Sequence, residues 1–250
     1  STLSEFLWIT NDNDAYYIQT ADINLGTKTS SIISSFSGNY DGGGFTITYQ
    51  ANFSTSYNNN HYALFGRVTG TITNLNVNAT VTATGEISSR NVALLCGLLD
   101  GGTIRYCTVS GSINNTTQGL GGGCQTGLLV GTCRGTIEYC SGNGNVTGYG
   151  YVGGLVGDME SGTISYCAFT GKVNAHSPWM SVGGGGFAGG ICGNADNSTT
   201  IRNCSVVNSE IDGGNKESGI ASTNGDSPTV KDCYYNGTAN EYKKDPDAYY

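Results

Sequence analysis

The sequence predicts an all-β protein that folds as one domain, a right-handed parallel β-helix with a divergent N-terminal cap. Three observations predict this fold class: a short phrase recurs along the chain, glycine is abundant while proline is scarce, and the segments between the copies lack helical periodicity. The chain contains 40 glycines and 3 prolines. Repeated units that bury an apolar face only against their neighbours stack into a solenoid.

The recurring phrase consists of an apolar β-branched residue, two further residues, and then leucine or cysteine. Its six copies begin at Ile72, Ile104, Ile137, Ile164, Ile201 and Val230, at intervals of 27 to 37 residues. A second apolar residue follows nine positions later in four copies, at Val81, Ile113, Val146 and Val173, and ten positions later at Ile211. The extra residue in that copy predicts a one-residue β-bulge.

Glycines stand between these two apolar positions in three successive copies, at Gly111, Gly144 and Gly171. We predict that they mark corners where the backbone must be unhindered. Upstream of the phrase lies a second segment of the type Leu-x-Gly, for example Leu155-Val-Gly157. Short apolar segments separated by glycine, with alternate residues pointing inward, predict strands of about three to five residues in stacked parallel sheets.

The first sixty residues differ from the repeats, and we assign residues 1–60 to an N-terminal cap with the first strands. Leu3, Phe6 and Leu7 have helical spacing, with Thr2 or Ser4 as the predicted N-cap. Residues 61–240 are predicted to form the β-helix repeats and residues 241–250 a polar C-terminal tail, all in one continuous domain. A cap is expected because the end of a solenoid exposes strand edges and core side chains.

Acidic residues predominate among the few charged ones, with 19 Asp and Glu against 11 Lys and Arg and a net charge of −8. This balance argues against nucleic acid as a partner, because phosphate backbones reward clustered basic side chains. No apolar run approaches the roughly 20 residues that cross a bilayer. We therefore expect no membrane-spanning segment.

Cysteine fills the fourth position of the phrase in five copies, which predicts a structural ladder in the core: Cys107, Cys140, Cys167, Cys204 and Cys233. Buried thiols that pack as small hydrophobic groups are the preferred interpretation. Disulfides between coils about 4.8 Å apart are the alternative, as is a bond of Cys124 with Cys133, or of Cys96 with either. There is no CxxC pair, and His61 and His176 lie far apart, so we predict neither a zinc site nor another cofactor.

Two groups of residues are candidates for contact with a partner. The variable segment 174–186 contains the most distinctive side chains of the chain, and its binding candidates are His176, Trp179 and Met180. Tyrosines recur two positions after the leading isoleucine and predict a stacked ladder on a sheet face: Tyr106, Tyr139 and Tyr166. Such a ladder stabilises the sheet, and binding of sugars or self-association are its alternative roles.

Enzymatic and metal-binding chemistry have weaker candidates. A glycosidase needs two carboxylates that flank the scissile bond, and Asp158, Glu160 and Asp100 could share one face of a solenoid. Because Asp and Gly are common in turns, we interpret these carboxylates as solvated turn residues. Asp12 and Asp14 are weak calcium candidates, since they lack the complete ligand set of a calcium loop. We expect no metal.

An ice-binding surface is a third possibility, because Thr80, Thr82 and Thr84 alternate along the chain. Such a surface requires threonine columns that run through successive coils. We predict that regular threonine columns do not continue through this molecule.

One copy of the repeat resembles the GLUG-motif repeat family of cell-surface and secreted proteins. It reads Gly153-Gly-Leu-Val-Gly157, then Gly162-Thr-Ile-Ser-Tyr-Cys167 and Gly171-Lys-Val173. The opening of the chain, up to Leu64-Phe-Gly66, also looks like the segment that precedes such repeats. The resemblance implies a β-solenoid and an extracellular location, secreted or on a cell surface, and it supplies no catalytic residues.

We therefore predict a non-enzymatic structural or adhesive module, a rigid rod that displays loops. Its expected partners are a cell-surface glycan or protein, or other copies of itself in a surface filament. The alternative is a polysaccharide-degrading β-helix enzyme, either a lyase or a glycoside hydrolase.

Overall fold

Each copy of the repeat forms one coil of a parallel β-helix in the computed structural model, which confirms the predicted fold class. The structure describes residues 2–54, 61–85, 91–116, 124–176, 186–214 and 216–239. Four parallel sheets surround the core, and the chain visits them in turn as it passes from one coil to the next.

The N-terminal helices and the strands of the first four coils precede the variable segment 117–123. They are helix α1 (Leu3–Leu7), a 3₁₀ helix (Trp8–Thr10), β1 (Tyr16–Ile18), β2 (Ile23–Lys28), β3 (Ile33–Phe36), β4 (Asn39–Asp41), β5 (Thr46–Ser54), β6 (His61–Tyr62), β7 (Phe65–Val68), β8 (Thr71–Thr73), β9 (Asn76–Thr84), β10 (Asn91–Val92), β11 (Cys96–Leu99), β12 (Thr103–Arg105) and β13 (Thr108–Asn115).

The remaining strands continue the same order. They are β14 (Gln125–Gly127), β15 (Val130–Cys133), β16 (Thr136–Glu138), β17 (Ser141–Tyr149), β18 (Tyr151–Gly153), β19 (Val156–Met159), β20 (Gly162–Ser165), β21 (Ala168–His176), β22 (Phe187–Gly189), β23 (Cys192–Ala195), β24 (Thr199–Arg202), β25 (Ser205–Gly213), β26 (Lys216–Ser218), β27 (Thr229–Lys231) and β28 (Tyr234–Ala239).

The strands stack into four sheets. Sheet A has the order β1-β4-β8-β12-β16-β20-β24-β27, and sheet B has the order β2-β5-β9-β13-β17-β21-β25-β28. Sheet C has the order β3-β7-β11-β15-β19-β23, and sheet D the order β6-β10-β14-β18-β22-β26. From β6 to β25, each coil therefore runs through one strand of sheets D, C, A and B.

The leading residue of the phrase lies at the centre of sheet A and points into the core. Its copies pair in register from coil to coil: Ile72, Ile104, Ile137, Ile164, Ile201 and Val230. The five isoleucines are fully buried. Burial of a side chain of this size contributes about 1.5–3 kcal/mol, so this column alone is a substantial part of the core.

The cysteine at the fourth position of the phrase lies beside that column. Each thiol sits 3.7 to 4.0 Å from the carbonyl oxygen of the leading isoleucine one coil earlier, in the order Cys107, Cys140, Cys167, Cys204, Cys233. Burial raises the pKa of the Cys140 thiol. None of the nine cysteines, all of which are described, forms a disulfide, so the alternative bonds among Cys96, Cys124 and Cys133 are wrong.

Three glycines in sheet B form a column in which any larger residue would displace the backbone of the neighbouring coil. Gly111, Gly144 and Gly171 have φ angles of +127°, +158° and +139°. A Cβ atom on any of them would lie 1.9 Å from the carbonyl oxygen of the residue one coil earlier. The backbone is unhindered at these positions as predicted, but the prediction that they mark corners is wrong, because each glycine lies inside a continuous long strand of sheet B.

Two further local predictions are confirmed. The register between β21 and β25 shifts by one residue between Phe169 and Lys172, which is the expected bulge. Helix α1 has Thr2 as its N-cap, with a capping box completed by Glu5. The helix covers the N-terminal end of the core, because the Phe6 ring lies 5.9 Å from Tyr40 and 6.3 Å from Phe65.

Candidate functional site

The three recurring tyrosines form a stack on the outside of the solenoid, directly after the strands of sheet A. The rings of Tyr106 and Tyr139 are 5.1 Å apart and inclined by 12°, and those of Tyr139 and Tyr166 are 4.9 Å apart and inclined by 3°. The side chains remain about half exposed, at 52%, 45% and 45%. We call these three residues the tyrosine strip. Their rings present a row of aromatic edges whose spacing matches the coil-to-coil distance.

The backbone of the tyrosine strip has the left-handed conformation. The φ angles of its three residues lie between 53° and 55°. The equivalent corner in three other coils is occupied by residues that adopt this conformation more readily: Asn74, Asn203 and Asp232. Sequence reasoning found the tyrosine ladder but missed this conformation, although the Asn and Asp in the flanking copies were a signal for it.

A column of threonines runs beside the strip on the outer face of sheet A. Six consecutive coils contribute in-register residues, at Thr71, Thr103, Thr136, Thr163, Thr200 and Thr229. The prediction that no regular threonine column continues through the coils is therefore wrong. Each of these threonines directly precedes the leading residue of the phrase, so the aligned copies contained the signal. The adjacent column carries Arg105 and Glu138, so this face is not a uniform array of hydroxyl groups.

The two ends of the strip differ. The guanidinium of Arg202 lies 5.7 Å from the centre of the Tyr166 ring, so a cation–π contact covers that end. At the other end, the face of Tyr106 that is turned away from Tyr139 borders a cavity of about 280 Å³. The strip therefore has one closed end and one end that leads into a concave surface.

A second concave surface, the polar groove, lies between sheets D and C. It has a volume of about 160 Å³ and is lined by His61, Asn91, Leu98, Gln125, Thr132, Arg134 and Glu160. Arg134 bridges two of the candidate carboxylates, with its Nε 2.5 Å from Glu160 and its Nη1 3.5 Å from Asp100. Arg67 also pairs with Asp100 and, by its hydrogen bond, holds the pKa of that carboxyl below its usual value. The structure thus brings Asp100 and Glu160 together in an ion network.

Asp158 lies in the same coil as Glu160 of the groove and is buried. It is paired in register with Thr132 and Asn194, and its side chain is only 6% exposed. Its Oδ1 accepts a hydrogen bond of 2.9 Å from Nδ2 of Asn194, which also donates to Asp196. Burial raises the pKa of Asp158 to about 7, and the charges of Asp196 and Glu160 add to the rise. The interpretation of Asp158 as a solvated turn residue is therefore wrong, because neighbouring coils cover it.

The other predicted contact residues are only partly described. His176 ends β21, is exposed, and lies 5.5 Å from the ring of Tyr149. Trp179 and Met180 lie outside the described residues. The structure therefore places only His176 among the three binding candidates.

The calcium candidates Asp12 and Asp14 are exposed in the turn after the 3₁₀ helix, where a hydrogen bond from Asp14 raises the pKa of Asp12. Across the described ranges, no cluster of three or more His, Cys, Asp or Glu side chains is arranged to hold a metal ion. Over the same ranges, no helix has the length and apolarity needed to cross a membrane.

The stacked coils and their shared inner wall place the protein in the parallel β-helix class of solenoids. The chain carries the GLUG motif, because the family model of that motif matches residues 148–174. This match confirms the resemblance drawn from the sequence and falls on the coil that contains Asp158 and Tyr166.

A solved structure has a similar fold over nearly the whole chain. It is described as "a putative immunoglobulin A1 protease from Bacteroides ovatus", with a TM-score of 0.70 and 20% sequence identity. The alignment covers 98% of this chain and 80% of that one. At this identity the likeness establishes the fold. No curated protein matches the chain.

Proposed function

We propose that this β-helix is an extracellular, non-enzymatic adhesive module that binds glycans through the tyrosine strip. The rigid solenoid fixes the spacing of the three rings, which present their edges along the strip, and the outer face of Tyr106 is open to stack against the apolar face of a sugar. The threonine column beside the strip supplies hydroxyl groups along the same face. The GLUG motif supports an extracellular location, since the family resemblance implies secreted or cell-surface proteins.

The observation that carries the proposal is the presence of tyrosine in a left-handed corner three times in succession. This conformation costs an L-residue roughly 1–2 kcal/mol, and less for Asn or Asp. A stacked aromatic pair returns about 0.5–1.5 kcal/mol and an exposed cation–π contact about 0.5–1 kcal/mol. The three strained residues share only two such pairs and the one contact with Arg202. Stability alone therefore does not favour tyrosine over the asparagine found at Asn74 and Asn203. A binding role accounts for the presence of tyrosine in these three coils.

A triple variant that replaces the strip by Tyr106→Asn, Tyr139→Asn and Tyr166→Asn tests the proposal. Asparagine already occupies the equivalent corner of two other coils, so we expect the variant to fold with a nearly unchanged melting temperature. Binding to a glycan array should be lost. Tyr234→Asn, at an exposed tyrosine outside the strip, is the matched control and should bind as the parent does. Full retention of glycan binding by the triple variant would refute the proposal.

The loop that contains His176, Trp179 and Met180 is proposed as an additional contact of the adhesive module. An alternative form of this proposal is that copies of the module assemble into a filament. Helix α1 covers the N-terminal end through Phe6, which favours a single display rod over end-to-end stacking. Electron microscopy at high concentration distinguishes the two: the display rod predicts single particles, and the filament predicts long polymers.

A polysaccharide-degrading enzyme is the second candidate, and Asp158 is the observation that favours it. A buried carboxyl with a pKa of about 7 has the character of a general acid, and it lies next to a groove that contains Glu160. The Bacteroides ovatus protein of similar fold is named as an immunoglobulin A1 protease. Immunoglobulin A1 is therefore tested as a protein substrate beside the polysaccharides. Turnover of a polysaccharide panel or of immunoglobulin A1 that disappears in Asp158→Asn would favour this candidate. We expect no turnover.

A further inference from the structure

The cavity at the open end of the tyrosine strip has aromatic walls and a polar floor. Tyr16 of β1 forms one wall and Tyr106 the other, and the side chains are 62% and 52% exposed. The floor is supplied by the two coils between them, through Asn39, Asp41, Thr71, Thr73 and Asn74. Tyr16 and Tyr106 are separated by three coil spacings of about 4.8 Å, roughly 14 Å along the solenoid axis. Tyr106 also lies three residues further along its coil, because Tyr16 shares its column with Thr103. The cavity can therefore hold one or two sugar rings.

The floor of the cavity is organised by hydrogen bonds. Oδ1 of Asp41 accepts from the backbone N–H of Gly43 at 2.9 Å and from Nδ2 of Asn74 at 3.1 Å. These contacts hold the carboxylate and the amide in fixed positions. The small side chains of this coil, Thr73 and Asn74, leave room where the next coil carries Arg105 and Tyr106. The recess is thus a consequence of the change in side-chain size between two adjacent coils.

Arg105 differs from the other arginines of the surface. Arg67 and Arg134 are paired with carboxylates, and Arg202 lies over the Tyr166 ring. In the described part of the chain, no carboxylate forms an ion pair with Arg105, although Glu138 is its register neighbour in β16. Arg105 lines the cavity together with Tyr106. A planar guanidinium in this place suits a carboxylate, which it can bind through two parallel hydrogen bonds.

We propose that this cavity binds a uronic acid residue, a sugar with a ring carboxylate, within a glycan that lies along the tyrosine strip. The sugar ring stacks on Tyr106, its carboxylate pairs with Arg105, and its hydroxyl groups donate to Asp41 and accept from Asn74. This inference rests on the proposed glycan-binding function and adds the substrate class to it.

The test compares acidic and neutral oligosaccharides of the same length, for example trigalacturonate and a galactose trisaccharide, by calorimetry. Arg105→Gln should lower the affinity for trigalacturonate by about tenfold, as expected for loss of a charge-assisted pair, and leave the affinity for the neutral sugar unchanged. Lys231→Gln, which removes a cation from the same column outside both the cavity and the tyrosine strip, is the matched control and should have no such effect.

The outcomes separate this inference from the proposed function. If both sugars bind equally well to the parent protein, or if Arg105→Gln and Lys231→Gln behave alike, the uronic acid site is wrong while glycan binding by the strip stands. If neither sugar binds, both proposals are overturned. Selective loss of trigalacturonate binding in Arg105→Gln supports the site.

Discussion

At the scale of single residues, Asp158 shows how a solenoid changes the properties of a side chain. Its carboxyl lies on the outside of sheet C, yet neighbouring coils bury it. Asn194 supplies a hydrogen bond, and Arg134, whose charge favours the ionised carboxylate, is already engaged with Glu160 and Asp100. An ionised carboxylate is costly in such surroundings. The consequence is a pKa near 7 instead of the ordinary value near 4.

This shift predicts a pH dependence of stability. Because the folded protein binds the proton of Asp158 more tightly than the unfolded chain does, stability due to this group is greatest below about pH 4. It falls as the pH rises to about 7, by roughly 1.4 kcal/mol for each unit of the shift. We expect Asp158→Asn, which keeps an acceptor for Asn194, to be more stable than the parent at pH 8 and similar at pH 4.

Urea denaturation of the two proteins at both pH values measures this difference, and contributions from other groups cancel in the comparison. If Asp158→Asn changed the free energy of unfolding by the same amount at pH 4 and at pH 8, the assignment of a raised pKa to Asp158 would be contradicted.

At the scale of structural elements, the long strands of sheet B depend on their glycine column. The backbone of Gly144 has a φ of +158°, and a Cβ there would lie 1.9 Å from the carbonyl oxygen of Gly111. Because parallel strands stack at a fixed distance, neither coil can move without breaking its hydrogen bonds to the next.

We predict that Gly144→Ala destabilises the fold by about 3 kcal/mol or more, through overpacking between two coils. Gly101→Ala is the control, because Gly101 also has a positive φ, of +82°, but a Cβ atom added there would meet no other atom within 4 Å. In that variant the free energy of unfolding should fall by only about 1 kcal/mol, the cost of placing alanine at a positive φ. Thermal unfolding followed by circular dichroism compares them, and equal losses would contradict the packing argument.

The N-terminal helix stabilises the fold by covering the end of the core. Phe6 is 3% exposed and contacts the aromatic rings at the first coils, whereas Leu7 is 36% exposed on the same helix. We predict that Phe6→Ala costs about 3 kcal/mol or more, and that Leu7→Ala costs less than about 1 kcal/mol. Chemical denaturation gives both values. A similar small loss in both variants would show that the helix does not protect the core.

At the scale of the whole molecule, the β-helix is a linear stack in which each coil contacts only its neighbours. Such proteins open from their ends more readily than from the middle. The N-terminal end is covered by helix α1, while Cys233 in the last described coil is already partly exposed. The cysteine ladder therefore reports the order in which coils open.

We predict that an alkylating reagent modifies the ladder from its C-terminal end, with Cys233 first, Cys204 next, and Cys107 and Cys140 last. Mass spectrometry of peptides after graded exposure under native conditions follows each site. Complete unfolding in denaturant should make all sites react at similar rates, which serves as the control. Labelling of Cys140 as early as Cys233 would argue against opening from that end.

Much of the fold followed from the sequence. The spacing of the isoleucine phrase defined the coils, because an inward residue must recur at the same place in every coil to meet its neighbours. The extra residue before Ile211 indicated the bulge, and Thr2 indicated the helix start. The sequence also contains the threonine column, because threonine directly precedes the leading residue of the phrase in all six copies.

The sequence by itself determined which residues share a column, because equivalent positions of successive repeats pair in register between neighbouring coils. It thereby determined the inner wall of isoleucine and cysteine and the stack of Tyr106, Tyr139 and Tyr166. Only the tertiary structure decided what lies between columns: the burial of Asp158, the pairing of Arg134, and the cavity between Tyr16 and Tyr106. These depend on the side-chain sizes of adjacent coils and on the distance between sheets, which no single copy of the repeat specifies.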